Sequence, residues 1–218
     1  MVNNVKKEIE LPNIIPIFPL EGVVMFPDTY LPLNVFEPRY LKMIDKAIST
    51  EHRLVGIIQP IKTKEFNKKD NFYQIGCAGK IVKFEETDDN KYLITLKGLI
   101  RFNLISEEIT NHKFREANVC WKNFNKDLDI NVNALDFSSL KMTLKKYLKS
   151  RNIKANMEAI DTFNDYNFVD QIIMICPLAN DDKQLLLETS SISKRCKLLH
   201  SILDSYVNEL SISNMSKH

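Results

Sequence analysis

The sequence predicts an α+β protein in which a β-rich first part is followed by an all-helical second part. All 5 glycines lie before residue 99, and seven of the 8 prolines lie before residue 61. Because glycine and proline mark turns, bulges and strand ends, this asymmetry favours short strands in the first half. In the second half, apolar residues recur at spacings of three and four, which is the period of an amphipathic helix.

The same patterns divide the chain into five segments. We expect a flexible N terminus at 1–12, a β subdomain at 13–121, a linker at 122–134, a helical subdomain at 135–210 and a disordered tail at 211–218. The linker is placed at an Asn-rich stretch that is polar where the flanking sequence is apolar.

Composition limits the classes of function. With 44% hydrophobic and 27% charged residues, the 218 residues have the composition of a soluble globular protein of one or two domains. The 30 Lys and Arg residues nearly balance the 28 Asp and Glu residues, so the net charge of +2 gives no field that would attract a polyanion. Nucleic acid is therefore an unsupported partner.

The cysteines and the apolar stretches indicate a cytoplasmic protein that does not enter a membrane. The 4 cysteines form no CxxC pair and lie among apolar neighbours, as the reduced thiols of cytosolic proteins do. The first residues contain no hydrophobic signal core. The longest nearly apolar stretch, residues 172–179, is far shorter than the roughly 20 residues that cross a bilayer, and Pro177 interrupts it.

The first strands should be brief and bent. Residues 14–35 consist of β-branched and aromatic runs punctuated by Pro and Gly, which favours partly edge-lying strands at the rim of a small barrel. Residues 53–59 form a buried strand candidate. Residues 72–86 are long enough for two strands, or for one strand bent at Gly76 and Gly79.

One helix interrupts the strands and should begin at Pro38, because proline suits the first helical position, where an N–H would have no helical partner. Phe36 and Leu41 occupy the positions of a hydrophobic staple. Leu41, Ile44 and Ile48 repeat at helical spacing and form an apolar face suited to closing one end of a barrel.

A hairpin is predicted at the Asp88-Asp89-Asn90 turn. In the return strand, residues 91–97, alternate residues share one face; they are Tyr92, Ile94 and Leu96. Gly98 is expected to separate this strand from the next one, residues 99–105. Residues 114–121 supply the last strand candidate.

Three apolar repeats predict the first helices of the second part. They are Leu140, Leu144 and Leu148; Met157, Ile160 and Phe163; and Phe168, Ile172 and Ile175, before Pro177. Asn180 is expected to cap a further helix that begins with Asp181 and Asp182.

A longer stripe predicts the last helix. Its members, spaced by four and three, are Ile192, Cys196, Leu199, Leu203, Tyr206 and Leu210. We expect the stripe to pack within the chain against the repeats that begin at Leu140 and Phe168. An interface between chains is the alternative.

No motif in the sequence supports catalysis. The segment 76–80 is not a phosphate-binding GxxxxGK[ST] loop, since Gln74 and Ile81 stand where Gly and Ser or Thr are required. No GxSxG, HExxH or GxGxxG occurs, and the 4 histidines show no metal-ligand spacing with the cysteines. His200, beside the last stripe, is expected to be an ordinary boundary residue. We therefore expect no catalytic residue, no cofactor and no metal.

Two basic clusters are open to more than one interpretation. Lys141, Lys145 and Lys149 form a stripe on one helix, which suits a solvated face but also phosphates or an acidic partner. Residues 62–73 interleave lysines, Lys62, Lys68 and Lys69 among them, with aromatic residues, as a nucleic-acid groove does, although acidic residues there reduce the charge.

Several segments, taken in order, resemble the N-terminal substrate-binding domain of Lon proteases. They are residues 15–40 (IPIFPLEGVVMFPDTYLPLNVFEPRY), 73–76 (YQIG), 79–82 (GKIV), 92–102 (YLITLKGLIRF) and 176–188 (CPLANDDKQLLLE). The last segment resembles the helical end of stand-alone family members, which lack the ATPase and peptidase domains. The resemblance covers about residues 13–210.

This resemblance implies a PUA-like β pseudo-barrel of about six strands with one helix, followed by an all-helical C-terminal subdomain. It also implies a non-catalytic module that binds unfolded or extended polypeptides, as an adaptor in protein quality control, with the cellular Lon protease as a candidate partner. An RNA-binding module is the alternative, because PUA-like barrels also serve RNA-modifying proteins. The sequence makes no prediction of the oligomeric state.

The segment Phe36-Glu37-Pro38-Arg39-Tyr40 is the most characteristic patch of the resemblance. Its structural interpretation is a helix start, in which Pro38 fixes the first turn and Glu37 caps it. The functional interpretation presents peptide-binding residues at the barrel rim; they are Phe36, Glu37, Arg39 and Tyr40.

Overall fold

The computed structural model describes residues 10–61, 71–128, 136–162 and 166–215. Its strands are β1 (Ile14–Pro19), β2 (Tyr30–Val35), β3 (Leu54–Ile58), β4 (Pro60–Ile61), β5 (Asn71–Phe72), β6 (Ile75–Glu86), β7 (Tyr92–Ile109) and β8 (Arg115–Cys120). Its helices are α1 (Pro38–Ser49), α2 (Ser138–Ser150), α3 (Met157–Thr162), α4 (Phe168–Ile175), α5 (Asn180–Glu188) and α6 (Ile192–Met215), with a 3-10 helix at Lys122–Leu128. The predicted α+β class, with helices after strands, is confirmed.

Six of the described strands form one mixed sheet that closes on itself. The strand order is β2-β7-β6-β3-β1-β8, and the C-terminal half of β7 also pairs with β8, which completes a barrel. β1 and β3 run parallel, whereas the other pairings described for this sheet are antiparallel. The six-stranded pseudo-barrel that the resemblance implies is therefore confirmed.

Gly98 does not end a strand as expected, because β7 continues through it as one strand of 18 residues. A Cβ atom at Gly98 would lie 1.9 Å from the carbonyl oxygen of Phe26. The Gly98 N–H donates to the Thr29 oxygen at 2.9 Å, and the Gly98 oxygen accepts from the Asp28 N–H at 2.8 Å. Glycine is needed here for the close approach of a neighbouring loop rather than for a turn.

Gly98→Ala should therefore destabilise the barrel. The added methyl group meets backbone atoms, which cannot rotate away, so we expect a loss of about 1–3 kcal/mol, as is typical of overpacking. Equilibrium urea denaturation measures the loss. Gly56→Ala is the matched control and should cost less, because a Cβ there meets only side-chain atoms at 3.0–3.1 Å. Equal stability of the Gly98 variant and the parent would contradict the close approach.

Helix α1 begins at Pro38, as predicted, but its N-cap differs from the expectation. Glu37 occupies the cap position, and its side chain makes no capping hydrogen bond. Its carboxylate instead accepts from Arg39 Nε at 3.0 Å. The buried residues of the helix are Tyr40, Met43, Ile44 and Ala47, while Leu41 and Ile48 are only partly buried. Phe36 is 61% exposed, so it is not the buried staple partner that the spacing predicts.

The described members of the apolar repeats of the second part are buried or partly buried, except Ile175. Leu140, Leu144 and Leu148 of α2 and Phe168 and Ile172 of α4 lie in the core, and Met157 and Ile160 of α3 pack against it. Ile175 is 74% exposed, contrary to the prediction, because α4 ends there and the chain continues as extended backbone at Cys176. Phe163 lies outside the described residues.

Helix α6 packs within the chain, as predicted. Leu199 and Leu203 are fully buried, and the flanking members of the stripe, Ile192, Cys196 and Tyr206, pack at the margin of the same cluster. The helix continues to Met215, so residues 211–215 are helical rather than disordered as expected. The side chain of Leu210 and residues 216–218 lie outside the description.

Helix α5 begins one residue earlier than the sequence predicts. Asn180 is its first residue, and the cap position belongs to Ala179. Asp181 and Asp182 lie in the first turn, where negative charge is favourable. The carbonyl oxygen of Asn180 accepts from Gln59 Nε2 at 3.1 Å, which ties the helix start to the barrel.

One buried cluster runs from the barrel into the helices. Phe26, between β1 and β2, shares this cluster with Leu203 of α6, while a second cluster around Phe102 is built mainly from strands. Part of the expected linker is packed as well, because Phe124 of the 3-10 helix is buried. Residues 129–135 of that linker lie outside the described residues. The helices therefore pack directly on the barrel, and the division into two subdomains stays a prediction.

Candidate functional site

Strand β2 lies at an edge of the sheet. Within the described residues it pairs only with β7. Gly98 of β7 donates to the Thr29 oxygen, so this oxygen and the N–H and C=O groups of every second residue after Thr29 face β7. The backbone groups of Tyr30, Pro32 and Asn34 consequently point away from the sheet.

Pro32 suits this edge. Proline has no N–H, and within a sheet it is tolerated where the missing donor faces away from the neighbouring strand. The free edge therefore offers the N–H and C=O groups of Tyr30 and Asn34, together with the C=O group of Pro32. An extended chain could pair with these groups as an additional strand.

An apolar surface flanks the edge. Tyr30 is 58% exposed on the outward side of β2, and Phe36, one residue beyond the strand, is exposed to a similar extent. Leu93 of β7 and Val82 and Phe84 of β6 are 41–45% exposed and line a shallow groove beside β2. Contiguous exposed apolar side chains mark interaction sites on soluble proteins.

Polar contacts hold both ends of this surface in place. At one end Lys97 forms a 2.6 Å ion pair with Asp28 and lies 5.8 Å from the centre of the Tyr30 ring. The hydrogen bond with Asp28 raises the pKa of Lys97. At the other end Tyr92 donates to Asp45 of α1 at 2.9 Å, and this hydrogen bond, together with burial, raises the pKa of Tyr92. Both groups therefore stay protonated at neutral pH, as these contacts require.

Three of the four site residues predicted from the sequence reach the surface beside the end of β2. Phe36 is exposed, and Glu37 and Arg39 form an exposed ion pair of 2.8 Å. Tyr40 is buried instead, with its ring centre 4.2 Å from that of Phe18 and 4.5 Å from the Arg39 guanidinium carbon. A role of these residues in binding stays a prediction, in which Tyr40 would act only by supporting Arg39.

The sequence patterns do not predict two buried ion pairs. Arg101 of β7 pairs with Asp127 at 2.7 Å, and Arg195 of α6 pairs with Asp170 of α4 at 2.7 Å. Both arginines also donate to the carbonyl oxygen of Thr189, which follows α5, at 2.9 and 3.0 Å. A single charge within an apolar run is the signal that could have indicated Arg101 and Asp170, whereas Arg195 and Asp127 stand among other charged residues. Through the Thr189 oxygen that they share, Arg101 joins the barrel to the helices that Arg195 and Asp170 hold together.

The cysteines and Ser139 do not form a catalytic arrangement. Cys77 and Cys176 are buried, and burial raises the pKa of both thiols, that of Cys176 to about 11, so neither is a thiolate at neutral pH. Ser139 Oγ lies 3.2 Å from His200 Nε2. However, His200 Nδ1 is 3.9 Å from the Asp204 carboxylate, too far for the hydrogen bond that orients a general base. His200 connects α2 with α6.

Two further kinds of feature are missing from the part of the chain that the structure describes. Histidine, cysteine and acidic side chains do not gather there into groups of three or more that could hold a metal ion. None of the described helices is both long and apolar enough to span a membrane.

Comparisons with known proteins agree with this fold. A sequence profile of the ATP-dependent protease La (LON) substrate-binding domain matches residues 14–205. The chain is 25% identical over 213 residues to the Lon protease of Buchnera aphidicola, a match that covers 94% of this chain and 26% of that protein. It is 31% identical over 94 residues to Lon protease 2 of Sorangium cellulosum, which covers 42% of this chain and 12% of that protein.

Solved structures show the same architecture. The N-terminal domain of a Mycobacterium avium complex Lon protease has a TM-score of 0.61 at 16% identity, and the match covers 88% of this chain and 98% of that chain. A Lon N-terminal domain protein from Xanthomonas campestris has a TM-score of 0.61 at 18% identity, covering 86% and 97%. The chain spans about a quarter of the length of the Lon proteases it matches over most of its own length. Because the family profile covers most of the chain, this protein belongs to the Lon substrate-binding domain family.

Proposed function

We propose that the protein binds unfolded or extended polypeptide segments, without catalysis, by adding them to the free edge of β2. The observation that carries this proposal is the juxtaposition of unpaired backbone groups at Tyr30 and Asn34 with the exposed apolar side chains of Phe36 and Leu93. The family, a substrate-binding domain, supports it.

Strand addition suits partners that share no fixed sequence. Backbone hydrogen bonds are the same for nearly every residue type, so the edge contributes affinity without selecting a sequence. Alternate side chains of the added strand would lie on the face of the sheet that carries the exposed Leu93, where an apolar group gains a contact. A folded protein keeps its strands paired or protected, whereas an unfolded one exposes both backbone and apolar side chains. The edge therefore selects a conformational state rather than a sequence.

The segment after β2 extends this surface. Phe36 adds an apolar contact at the end of the strand, and the neighbouring Glu37–Arg39 ion pair offers either charge to a polar side chain. An exposed pair of this kind contributes little to stability, so it can exchange partners at low cost.

The relatives suggest where such binding would act. They are Lon proteases, so we place the bound polypeptides in proteolysis-related quality control, with this protein as a cytoplasmic adaptor and the cellular Lon protease as a candidate partner. Co-purification of that protease and its substrates with the tagged protein tests this placement.

No observation favours the RNA-binding alternative. Lys141, the first lysine of the predicted basic stripe, is buried and donates to the Asp161 carbonyl oxygen at 2.8 Å. Lys145 pairs with the carboxylate of Asp161. Two of the three lysines are thus engaged within the chain. The lysines of the 62–70 segment lie outside the described residues.

Asn34→Pro should weaken polypeptide binding about fivefold, the effect of one lost hydrogen bond. The change removes one N–H from the free edge and leaves the pairing with β7 in place, because that N–H points away from β7. Fluorescence anisotropy with labelled, reduced and carboxymethylated α-lactalbumin, an unfolded chain, measures the affinity. Asn34→Ala controls for the lost side chain and should bind like the parent.

Phe36→Asp tests the apolar side of the same surface and should weaken binding about tenfold. Ile175→Asp is its control, since it places the same charge on an exposed apolar residue of α4 and should leave binding unchanged. If Asn34→Pro and Phe36→Asp both bind like the parent, β2 is not the binding edge. If native, disulfide-bonded α-lactalbumin binds as tightly as the unfolded chain, the proposed selection for conformation is wrong.

A further inference from the structure

A groove on the helical part combines basic and apolar groups. Its lining includes Lys145 and Lys149 of α2, Lys154 and Ile153 of the following turn, and Met157 of α3. We call it the lysine groove. It shares no residue with the β2 edge, so an inference about it is independent of the function proposed above.

The turn after α2 brings these groups together. Asn152 has a φ of 55°, its N–H donates to the Lys149 oxygen at 3.1 Å, and the Ile153 N–H donates to the Leu148 oxygen at 2.9 Å. These two bonds are those of a Schellman motif, in which a left-handed residue reverses the chain and the next residue packs back on the helix. Ile153 is thereby fixed at the groove, with Lys154 directly after it.

The lysine groove carries unbalanced positive charge. Between residues 138 and 162 the sequence has six basic residues and two acidic ones, Glu158 and Asp161. Lys145 is paired with Asp161 at 2.5 Å, but Lys149 and Lys154 form no ion pair with any described residue. The negative end of the α2 dipole accounts for Lys149 in its last turn. It does not account for Lys154, which lies three residues beyond the cap residue of the helix.

The floor of the groove is apolar. Ile153 and Met157 are partly buried against the main core cluster. A ligand that carries only negative charge would leave this floor in water, and a purely apolar ligand would leave the two lysines without partners. The arrangement matches a ligand with both properties.

We propose that the lysine groove binds an acidic peptide segment that carries a bulky apolar side chain between its carboxylates. The carboxylates pair with Lys149 and Lys154, while the apolar side chain covers Ile153 and Met157. Both lysines are exposed and both apolar residues are already in place, so binding requires no rearrangement of the helices.

The test uses a fluorescein-labelled peptide of sequence Glu-Asp-Glu-Leu-Phe-Glu-Asp-Glu and anisotropy at low and moderate salt. Lys149→Glu/Lys154→Glu should bind it about tenfold more weakly than the parent. Lys113→Glu/Lys122→Glu makes the same change of net charge at exposed lysines elsewhere and should bind like the parent.

Met157→Gln tests the apolar floor of the groove. It should weaken binding of this peptide without weakening that of an all-acidic peptide of equal charge. Phe36→Asp, at the β2 edge, should have no effect.

Several outcomes would overturn the proposal. These are no binding by the parent, equal losses in the two double variants, equal affinity for the all-acidic peptide, and tighter binding of a single-stranded RNA of the same charge. Melting curves check the fold of each variant. Should Lys149→Glu/Lys154→Glu fail to fold, Lys149→Gln/Lys154→Gln takes its place and must show a loss in the same direction.

Discussion

Arg195→Met should destabilise the protein by about 3–5 kcal/mol, because it leaves the Asp170 carboxylate buried without its cation. In the parent, Arg195 donates to the two Asp170 oxygens at 2.7 and 2.8 Å and to the Thr189 carbonyl oxygen at 3.0 Å. Its guanidinium carbon lies 4.9 Å from the centre of the Phe26 ring. Methionine keeps much of the apolar contact but supplies none of the donors.

The loss should depend on pH. Burial raises the pKa of Asp170, and Arg195 opposes this rise more strongly than Arg101 does, so removal of Arg195 should raise the pKa further. A group whose pKa is raised by folding contributes its stability below its unfolded pKa, about 3.9 for Asp, and loses it as the pH rises through the folded pKa. The deficit of the variant should therefore be larger at about pH 7 than at about pH 4.5.

Urea denaturation at both pH values measures this deficit. Arg39→Met breaks an exposed pair with Glu37 and should cost less than about 1 kcal/mol, which makes it the matched control. Arg195→Met/Asp170→Leu removes both buried charges and should regain part of the lost stability. An Arg195→Met protein as stable as the parent would mean that the buried pair does not anchor the helices.

Leu203→Ala should cost about 2–5 kcal/mol and lower the melting temperature clearly. Leu203 is fully buried in the cluster that α6 shares with the barrel, so truncation leaves a cavity that the surrounding helices can close only in part. Leu185→Ala makes the same chemical change at a position of α5 that is 50% exposed. We expect it to melt close to the parent.

Size-exclusion chromatography of the Leu203 variant separates packing within the chain from packing between chains. A variant with a lowered melting temperature and an unchanged elution volume supports the internal packing of α6. If the variant melts like the parent while a parental dimer dissociates into monomers, the stripe is an interface and its assignment to the core is wrong.

Local patterns account for the elements that the sequence predicts correctly. The start of α1 at Pro38, the Asp88-Asp89-Asn90 hairpin and the burial of Leu199 and Leu203 each depend on residues a few positions apart. The prediction that Ile175 is buried is wrong, because periodicity gives the direction of a helix face but not the residue at which the helix ends.

The features that the sequence does not predict join distant parts of the chain. Gly98 is required by a carbonyl group of Phe26, and Arg101 is paired across 26 residues with Asp127 in a stretch that looks like a polar linker. The sequence predicts the candidate site at the β2 edge only in part. Pro32 within a strand pattern indicates an edge strand, but the direction of its free side follows only from the pairing with β7.

The carbonyl oxygen of Thr189 receives one hydrogen bond from the barrel and one from α6, through Arg101 and Arg195. Opening the helices while the barrel stays folded would remove a partner from both guanidinium groups and expose the apolar cluster that the two parts share. Partial unfolding should therefore cost nearly as much free energy as global unfolding. In such a cooperative molecule, a polypeptide bound at the β2 edge would raise the free energy of opening of distant helices as well as that of the strand it contacts.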